Sequence, residues 1–252
     1  MHNYTIKKIL KEDGLSKVLL VENNEIEGVL VEKKELPFCN SQSLIKSIHE
    51  KLYPESLCPR LINEDTNIYE YLGDKVGIKV LEERQLDMLG QAIKHLHSNQ
   101  LEGLKVQLFQ DKMKSYQDIL DSNFRDPIIE EGFKIFEELY KKDQKAIFCH
   151  NDLNNENIFF NGKCKFIDWD YACYNQPIFD LAMISKSFNL NHKQQEVLLE
   201  SYGDSSLSFD NISEFSLFIS YLEYIWLKVI QELDYELFEL EERLMQIKND
   251  LN

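Results

Sequence analysis

Residues Ile147–Ala182 read IFCHNDLNNENIFFNGKCKFIDWDYACYNQPIFDLA, and the fold turns on their punctuation. A short apolar run, Ala146–Cys149, stops at a polar loop, His150–Asn157, which holds Asp152 and four asparagines, the last of them Asn157. Two more runs, Ile158–Phe160 and Lys165–Ile167, flank Asn161-Gly162, a dipeptide suited to a hairpin turn. The second run ends in Asp168. Strand ends lying side by side would bring Asp152, Asn157 and Asp168 to one point. Two carboxylates and an amide oxygen are hard ligands that suit Mg²⁺, with waters and phosphate oxygens completing the shell.

Working outward, the first seventy or so residues are rich in strand signals. Lys17–Val21 and Gly28–Val31 are short β-branched runs separated by the turn-like Glu22–Glu27, and Leu61–Ile62 and Asn67–Tyr71 look like two more strands. Ser41–Leu52 has helical spacing behind a Ser41 cap. After a connector near Tyr71–Asp74 the texture changes. Apolar residues recur at three to four along Val80–His97, Lys112–Leu120 and Ile128–Tyr140. Beyond Pro177 the pattern is helical over Ile178–Phe188, His192–Tyr202, Ile212–Leu233 and Tyr235–Ile247. The order predicts an α+β protein of two lobes: a sheet-rich lobe over 1–73 and a larger helical lobe over 74–252 with the hairpin embedded in it. Ligands favour the cleft between two such lobes.

Composition bounds the function. The chain has 44 acidic and 28 basic side chains and a net charge of −16. An acidic surface argues against nucleic acid and against an anionic membrane. Five cysteines without a CxxC pair suit neither a disulfide framework nor a zinc site, and read as a reducing compartment, the cytoplasm. The most apolar stretch, Phe215–Ile230, is short for a membrane span and carries Glu223 and Lys228, which makes it a buried helix.

His150-x-Asp152-x4-Asn157, followed by a strand ending in Asp168, has the spacing of a kinase catalytic loop and its metal-binding aspartate. Phosphoryl transfer needs metal to neutralise the phosphates and one carboxylate to orient and deprotonate the attacking hydroxyl. His150-Asn151-Asp152-Leu153 with Asn157, then Ile167-Asp168-Trp169-Asp170-Tyr171-Ala172 and Asn175, resembles the choline/ethanolamine kinase family, within the protein-kinase-like group that contains aminoglycoside phosphotransferases. The resemblance implies a protein-kinase-like fold, ATP and Mg²⁺. It implies Asp152 as catalytic base and Asn157 and Asp168 as metal ligands, with His150 and Asp180 bracing the loop. Asp170 and Tyr171 would face the acceptor, a choline-like amino alcohol. Thiamine, an aminoglycoside-type alcohol and a non-catalytic pseudokinase are the alternatives.

A quaternary ammonium group is held by aromatic faces, at about 0.5–2 kcal/mol per contact. Trp169, Tyr171 and Trp226 are the aromatic candidates for that contact. The small lobe departs from the family pattern. Its phosphate-covering loop should be rich in glycine, yet only Gly14 is present, leaving backbone N–H groups and Ser16 for the phosphates. Lys33 or Lys34 should hold the α/β-phosphates. The partner Glu expected on the first helix has Gln42 in its place and Glu50 only later. Tyr69-Glu70-Tyr71-Leu72 resembles the hinge whose backbone, at Glu70 and Tyr71, meets the adenine.

Overall fold

A computed structural model describes residues 4–23, 27–63, 65–73, 80–99, 101–120, 125–141 and 145–251. Five strands, β1 (Thr5–Glu12), β2 (Ser16–Glu22), β3 (Glu27–Lys33), β4 (Leu61–Asn63) and β5 (Ile68–Glu70), form one antiparallel sheet in the order β1-β2-β3-β5-β4. The first helix, α1 (Gln42–Leu52), is inserted between β3 and β4, and the Ser41 hydroxyl accepts from the Leu44 N–H at its start. Part of the Glu22–Glu27 turn and Asp74 of the connector lie outside the described residues.

Strand β1 was not expected from sequence, because its side chains are nearly all exposed and show no apolar face. It survives as a sheet edge through its backbone pairing with β2. Lys7, Lys8 and Lys11 and two irregularities in register discourage a further strand from adding there.

The large lobe follows with α2 (Glu83–Ser98), α3 (Phe109–Leu120) and α4 (Pro127–Leu139). Next come β6 (Ile147–Cys149), the hairpin β7 (Ile158–Asn161) and β8 (Lys163–Phe166), and β9 (Cys173–Asn175), which pairs with β6. The chain closes with α5 (Ile178–Ser187), α6 (His192–Tyr202), α7 (Phe209–Glu232) and α8 (Leu240–Leu251). One continuous apolar core runs through this lobe and takes in Ile45, Ile48 and Leu52 of α1, while Leu19, Val21 and Ile68 make a small separate layer on the sheet. Helix α1 is thus held by the large lobe's core although it belongs to the small lobe in sequence. Phe215–Ile230 lies within α7, and no described helix is long and apolar enough to cross a membrane. All five cysteines are free thiols, and all but Cys39 are buried.

The last helix differs from the expected Tyr235–Ile247. It begins at Leu240, because Asp234 (φ 55°) and Glu239 (φ 58°) take left-handed backbone and Tyr235–Glu239 forms a separate crossing segment. That conformation interrupts a helix whatever the side-chain periodicity.

Helices α2 and α6 touch at Gly90. A Cβ there would lie 2.6 Å from Ser201 Cβ and 3.0 Å from the Leu198 carbonyl oxygen and the Tyr202 nitrogen. Alanine is the better helix former by about 1 kcal/mol, but two backbone atoms cannot rotate out of its way. Gly90→Ala should therefore destabilise the protein by about 1–3 kcal/mol in denaturant unfolding. A variant as stable as the parent would show that the two helices separate freely.

Candidate active site

Strand β6 runs into His150, Asn151 and Asp152, and the turn they begin is fixed by one carboxylate. Asp180, fully buried in the first turn of α5, accepts the His150 N–H at 2.8 Å and the Asn151 N–H at 2.7 Å. It also bonds His97 Nε2 of α2 at 3.0 Å, and His97 Nδ1 meets the Tyr202 hydroxyl of α6 at 3.0 Å. Asn151 holds φ 64°, a conformation that asparagine tolerates better than most side chains. Its amide reaches across to β9, where Asn175 Nδ2 donates to Asn151 Oδ1 at 2.6 Å and Asn151 Nδ2 donates to the Cys173 carbonyl at 3.3 Å. His150 bonds the Ile167 carbonyl through Nε2 at 2.8 Å, and burial depresses its pKa. A neutral ring of this kind ties the loop to the end of β8.

Asp152 is half-buried with both oxygens aimed. Asn154 Nδ2 donates to one at 2.9 Å and Asn157 Nδ2 to the other at 2.8 Å. Burial, with the charge of Asp168, pushes its carboxyl up to about 8, against the pull of Asn154, Lys33 and Asn157. Asp168 also has left-handed backbone, φ 68°. The Ile167 N–H before it donates to the Asn157 carbonyl at 3.0 Å, which holds the two residues together.

Of the two candidate lysines, Lys33 at the end of β3 points into the cleft. Its Nζ lies 2.5 Å from Asp168 Oδ1 and 2.8 Å from Asp170 Oδ2, whereas Lys34 is exposed. Burial would raise the Asp168 carboxyl, but the adjacent Lys33 ammonium reverses this and holds it below the usual range. For Asp170, burial and the Asp168 charge win, and its carboxyl is raised. The expected helix glutamate does not pair with Lys33: Asp168 and Asp170 stand beside it instead, Gln42 lines the cleft, and Glu50 is exposed. Asn157 and Asp168 both line the cleft, and an amide oxygen and a carboxylate are hard donors of the kind a divalent cation takes.

Between the lobes lies a cleft of about 540 Å³, with Val29 and Val31 of the sheet facing Phe159 and Ile167 of the hairpin side. Glu70, Tyr71 and Leu72 line its rim, and the Glu70 carboxylate is engaged by Lys165 at 3.1 Å and by the Arg60 N–H at 3.1 Å. Ser16 lines the cleft too, but differently from expectation. The Leu15 and Ser16 N–H groups donate to Asp13 Oδ1 at 3.0 and 2.7 Å, and the Ser16 hydroxyl also bonds the Asp13 carboxylate. An aspartate that opens a tight turn captures such groups locally, so Ser16 as placed does not offer its hydroxyl to a ligand.

Trp169 requires a correction as a substrate contact. Its side chain is fully buried, packed against Phe148 and His150, and only its carbonyl takes part at the site by accepting from Asn40 Nδ2 at 2.8 Å. The left-handed backbone at Asp168 breaks the strand just before Trp169, and the indole lies in the core. Tyr171 and Trp226 do meet: Trp226 Nε1 donates to the Tyr171 hydroxyl at 2.8 Å, and Arg243 lies over the indole, 5.9 Å from its centroid.

Several supporting residues escaped the sequence reading. Asn40 belongs to no motif, yet its Nδ2 donates to the Trp169 and Ala172 carbonyls, and buried Lys112 donates to the Phe38 carbonyl and to Asn40 Oδ1 behind it. Lys11 lines the cleft and pairs with Glu156 of the catalytic loop at 2.7 Å.

The profile of the phosphotransferase enzyme family matches residues 48–215, well over half the chain. The chain belongs to that family. A LicA homologue of Metamycoplasma hominis is 30% identical over 152 residues, which cover 58% of this chain and 61% of that protein. Another, from Mycoplasma capricolum, is 24% identical over 200 residues, covering 78% and 82%. The crystal structure of choline kinase LicA from Streptococcus pneumoniae superposes with a TM-score of 0.71 at 17% identity, over 93% of this chain and 89% of that one. The fold is therefore the protein-kinase-like one expected from the catalytic segment.

Asp180 carries one prediction. Asparagine keeps one acceptor oxygen and turns an NH₂ group on the other donors, so Asp180→Asn should lose about 1–3 kcal/mol and speed hydrogen exchange at residues 150 and 151. Retained protection there would mean that Asn175 alone holds the turn. His49, buried beneath the cleft, carries another. Burial holds its imidazole down to about 4, while the unfolded chain takes up the proton near pH 6.5. Between those values the unfolded state binds more protons, so stability falls as pH drops through the window. The melting temperature of the parent should fall more steeply there than that of His49→Leu, and parallel curves would overturn the assignment.

Proposed function

We propose that this protein is an ATP- and Mg²⁺-dependent kinase that transfers the γ-phosphoryl group directly to the hydroxyl of choline or a related cationic amino alcohol. The observation that carries this reading is Asp152, oriented by two asparagines and raised to about 8, beside an ionised Asp168 held by Lys33. A base with a pKa near the working pH is well matched to accept a proton from an alcohol.

In this reading Asp152 orients the acceptor hydroxyl and takes its proton as the oxygen attacks the γ-phosphorus in line and ADP departs. Asp168 and Asn157 hold Mg²⁺, which when bound offsets the charge on the phosphates. Lys33 exchanges a carboxylate for the α/β-phosphate oxygens. The backbone of Glu70 and Tyr71 meets the adenine edge. Asp170, Tyr171 and Trp226 form the acceptor side, where an acid and two aromatic rings suit a cationic head group. The sheet lobe, 1–73, covers the nucleotide and the remainder, 74–252, carries the chemistry. The name of the similar Streptococcus pneumoniae structure, choline kinase LicA, supports choline as the acceptor. We assign the protein to the cytoplasm, where ATP is supplied.

One observation favours a second reading, a non-catalytic nucleotide-binding module: the Asp13 carboxylate occupies the N–H groups that phosphates would use. ADP release with Mg-ATP across choline, ethanolamine, thiamine and kanamycin separates the two. Choline-dependent turnover is expected, falling by about 10²–10⁴-fold in Asp152→Asn while thermal stabilisation by Mg-ATP persists. Turnover with thiamine or kanamycin alone would replace the acceptor. No turnover with any of the four would favour the second reading.

A further inference from the structure

The turn Asp13–Ser16 is too poor in glycine to mould itself around phosphates, and it is held from an unexpected direction. The segment between α7 and α8 crosses from the large lobe and lies against it. Phe238 N–H donates to the Asp13 carbonyl at 3.0 Å. Gly14 has φ 91°, and a Cβ there would fall 2.5 Å from the Glu236 carbonyl oxygen and 3.3 Å from Leu237 Cα. The Tyr235 hydroxyl donates to the Glu35 carbonyl at 3.0 Å, just past the end of β3. Leu237 is buried in the large core, against which Leu15 of the same turn also packs. The two left-handed residues, Asp234 and Glu239, bracket the segment and give it the shape that makes these contacts.

We propose that Leu237 and Phe238 are positioning residues for the nucleotide: they fix the phosphate-covering turn from the large lobe, so that packing and one backbone hydrogen bond replace the adaptability of a glycine-rich loop. A turn ordered in advance loses less freedom when nucleotide binds. Detaching the segment should therefore weaken nucleotide binding specifically. This rests on the proposed kinase reading, in which Asp13–Ser16 covers the phosphates.

The test uses the full chain in four variants. Leu237→Ala removes the apolar anchor and Phe238→Pro removes the N–H donor. Leu237→Met keeps the anchor, and Phe238→Ala removes only a half-exposed ring while retaining the N–H. Mg-ATP affinity by calorimetry should weaken by about five- to ten-fold in the first two and stay within about two-fold of the parent in the others. Hydrogen exchange at residues 14–16 should quicken in the first two alone, and the KM for the acceptor should not follow the KM for ATP. Unchanged Mg-ATP affinity in a folded Leu237→Ala or Phe238→Pro protein with quickened exchange would overturn the proposal and leave the kinase reading intact. Equal losses for ATP and acceptor, tracking a lowered melting temperature, would also overturn it, as a merely structural role. If Leu237→Ala fails to fold, Phe238→Pro against Phe238→Ala decides alone. A parent that binds no nucleotide would overturn the proposal and the kinase reading together.

Discussion

A buried carboxylate without hydrogen bonds would cost several kcal/mol, and Asp180 sits fully out of solvent with no lysine or arginine ion pair among the described residues. Two backbone N–H groups, a histidine and its place in the first turn of α5, where the helix dipole favours an anion, together compensate for this. The donors come from different elements: His97 from α2, and His150 and Asn151 from the turn after β6. The same bonds that satisfy Asp180 hold the left-handed turn at Asn151 and so fix the start of the segment that carries Asp152. Strand β6, the turn, α2 and α5 meet at one charge, and the position of Asp152 follows from the need to satisfy it.

Polar contacts, more than apolar ones, join the two lobes on the cleft side. Lys33 reaches Asp168 and Asp170, Asn40 N–H donates to the Asp170 carbonyl, and Lys11 reaches Glu156. Helix α1 adds an apolar share through Ile45, Ile48 and Leu52. Asp170, two residues beyond Asp168, stands beside Lys33 where a helix glutamate was expected. The ion pair joins the sheet lobe to the large lobe, whereas the expected one would lie within the sheet lobe.

The catalytic segment was legible because its residues are constrained by local geometry: an asparagine that must tolerate left-handed backbone, a carboxylate two bonds beyond a strand, a hairpin closed at Asn161-Gly162. His192–Tyr202 was read to the residue, and Ser41–Leu52 and Ile178–Phe188 to within one. Other features depend on partners distant in sequence and leave no periodic trace. Strand β1 has no buried face to betray it. Trp169 looked like an aromatic beside the acceptor, and only its packing against Phe148 and His150, distant in sequence, shows that it lies inward. Asn40 and Lys112 act on carbonyls in other elements, which no motif encodes. The break before α8 came from two ordinary residues, Asp234 and Glu239, adopting an unusual backbone conformation that composition does not announce.

Lys8, Lys11 and Lys33 gather in one cleft on a molecule whose net charge is −16. The same cleft is lined by Glu70, Glu156, Asp168 and Asp170, so its lysines are largely offset on the spot. At long range such a body repels an anion, and that repulsion is felt over about 8–10 Å, the screening length at ordinary ionic strength. Added salt quiets the repulsion felt during diffusion first, because distant charges are screened more than those inside a low-dielectric cleft. A nucleotide would reach this protein faster as salt rises toward physiological strength, the reverse of the steering seen when a surface and its ligand carry opposite signs.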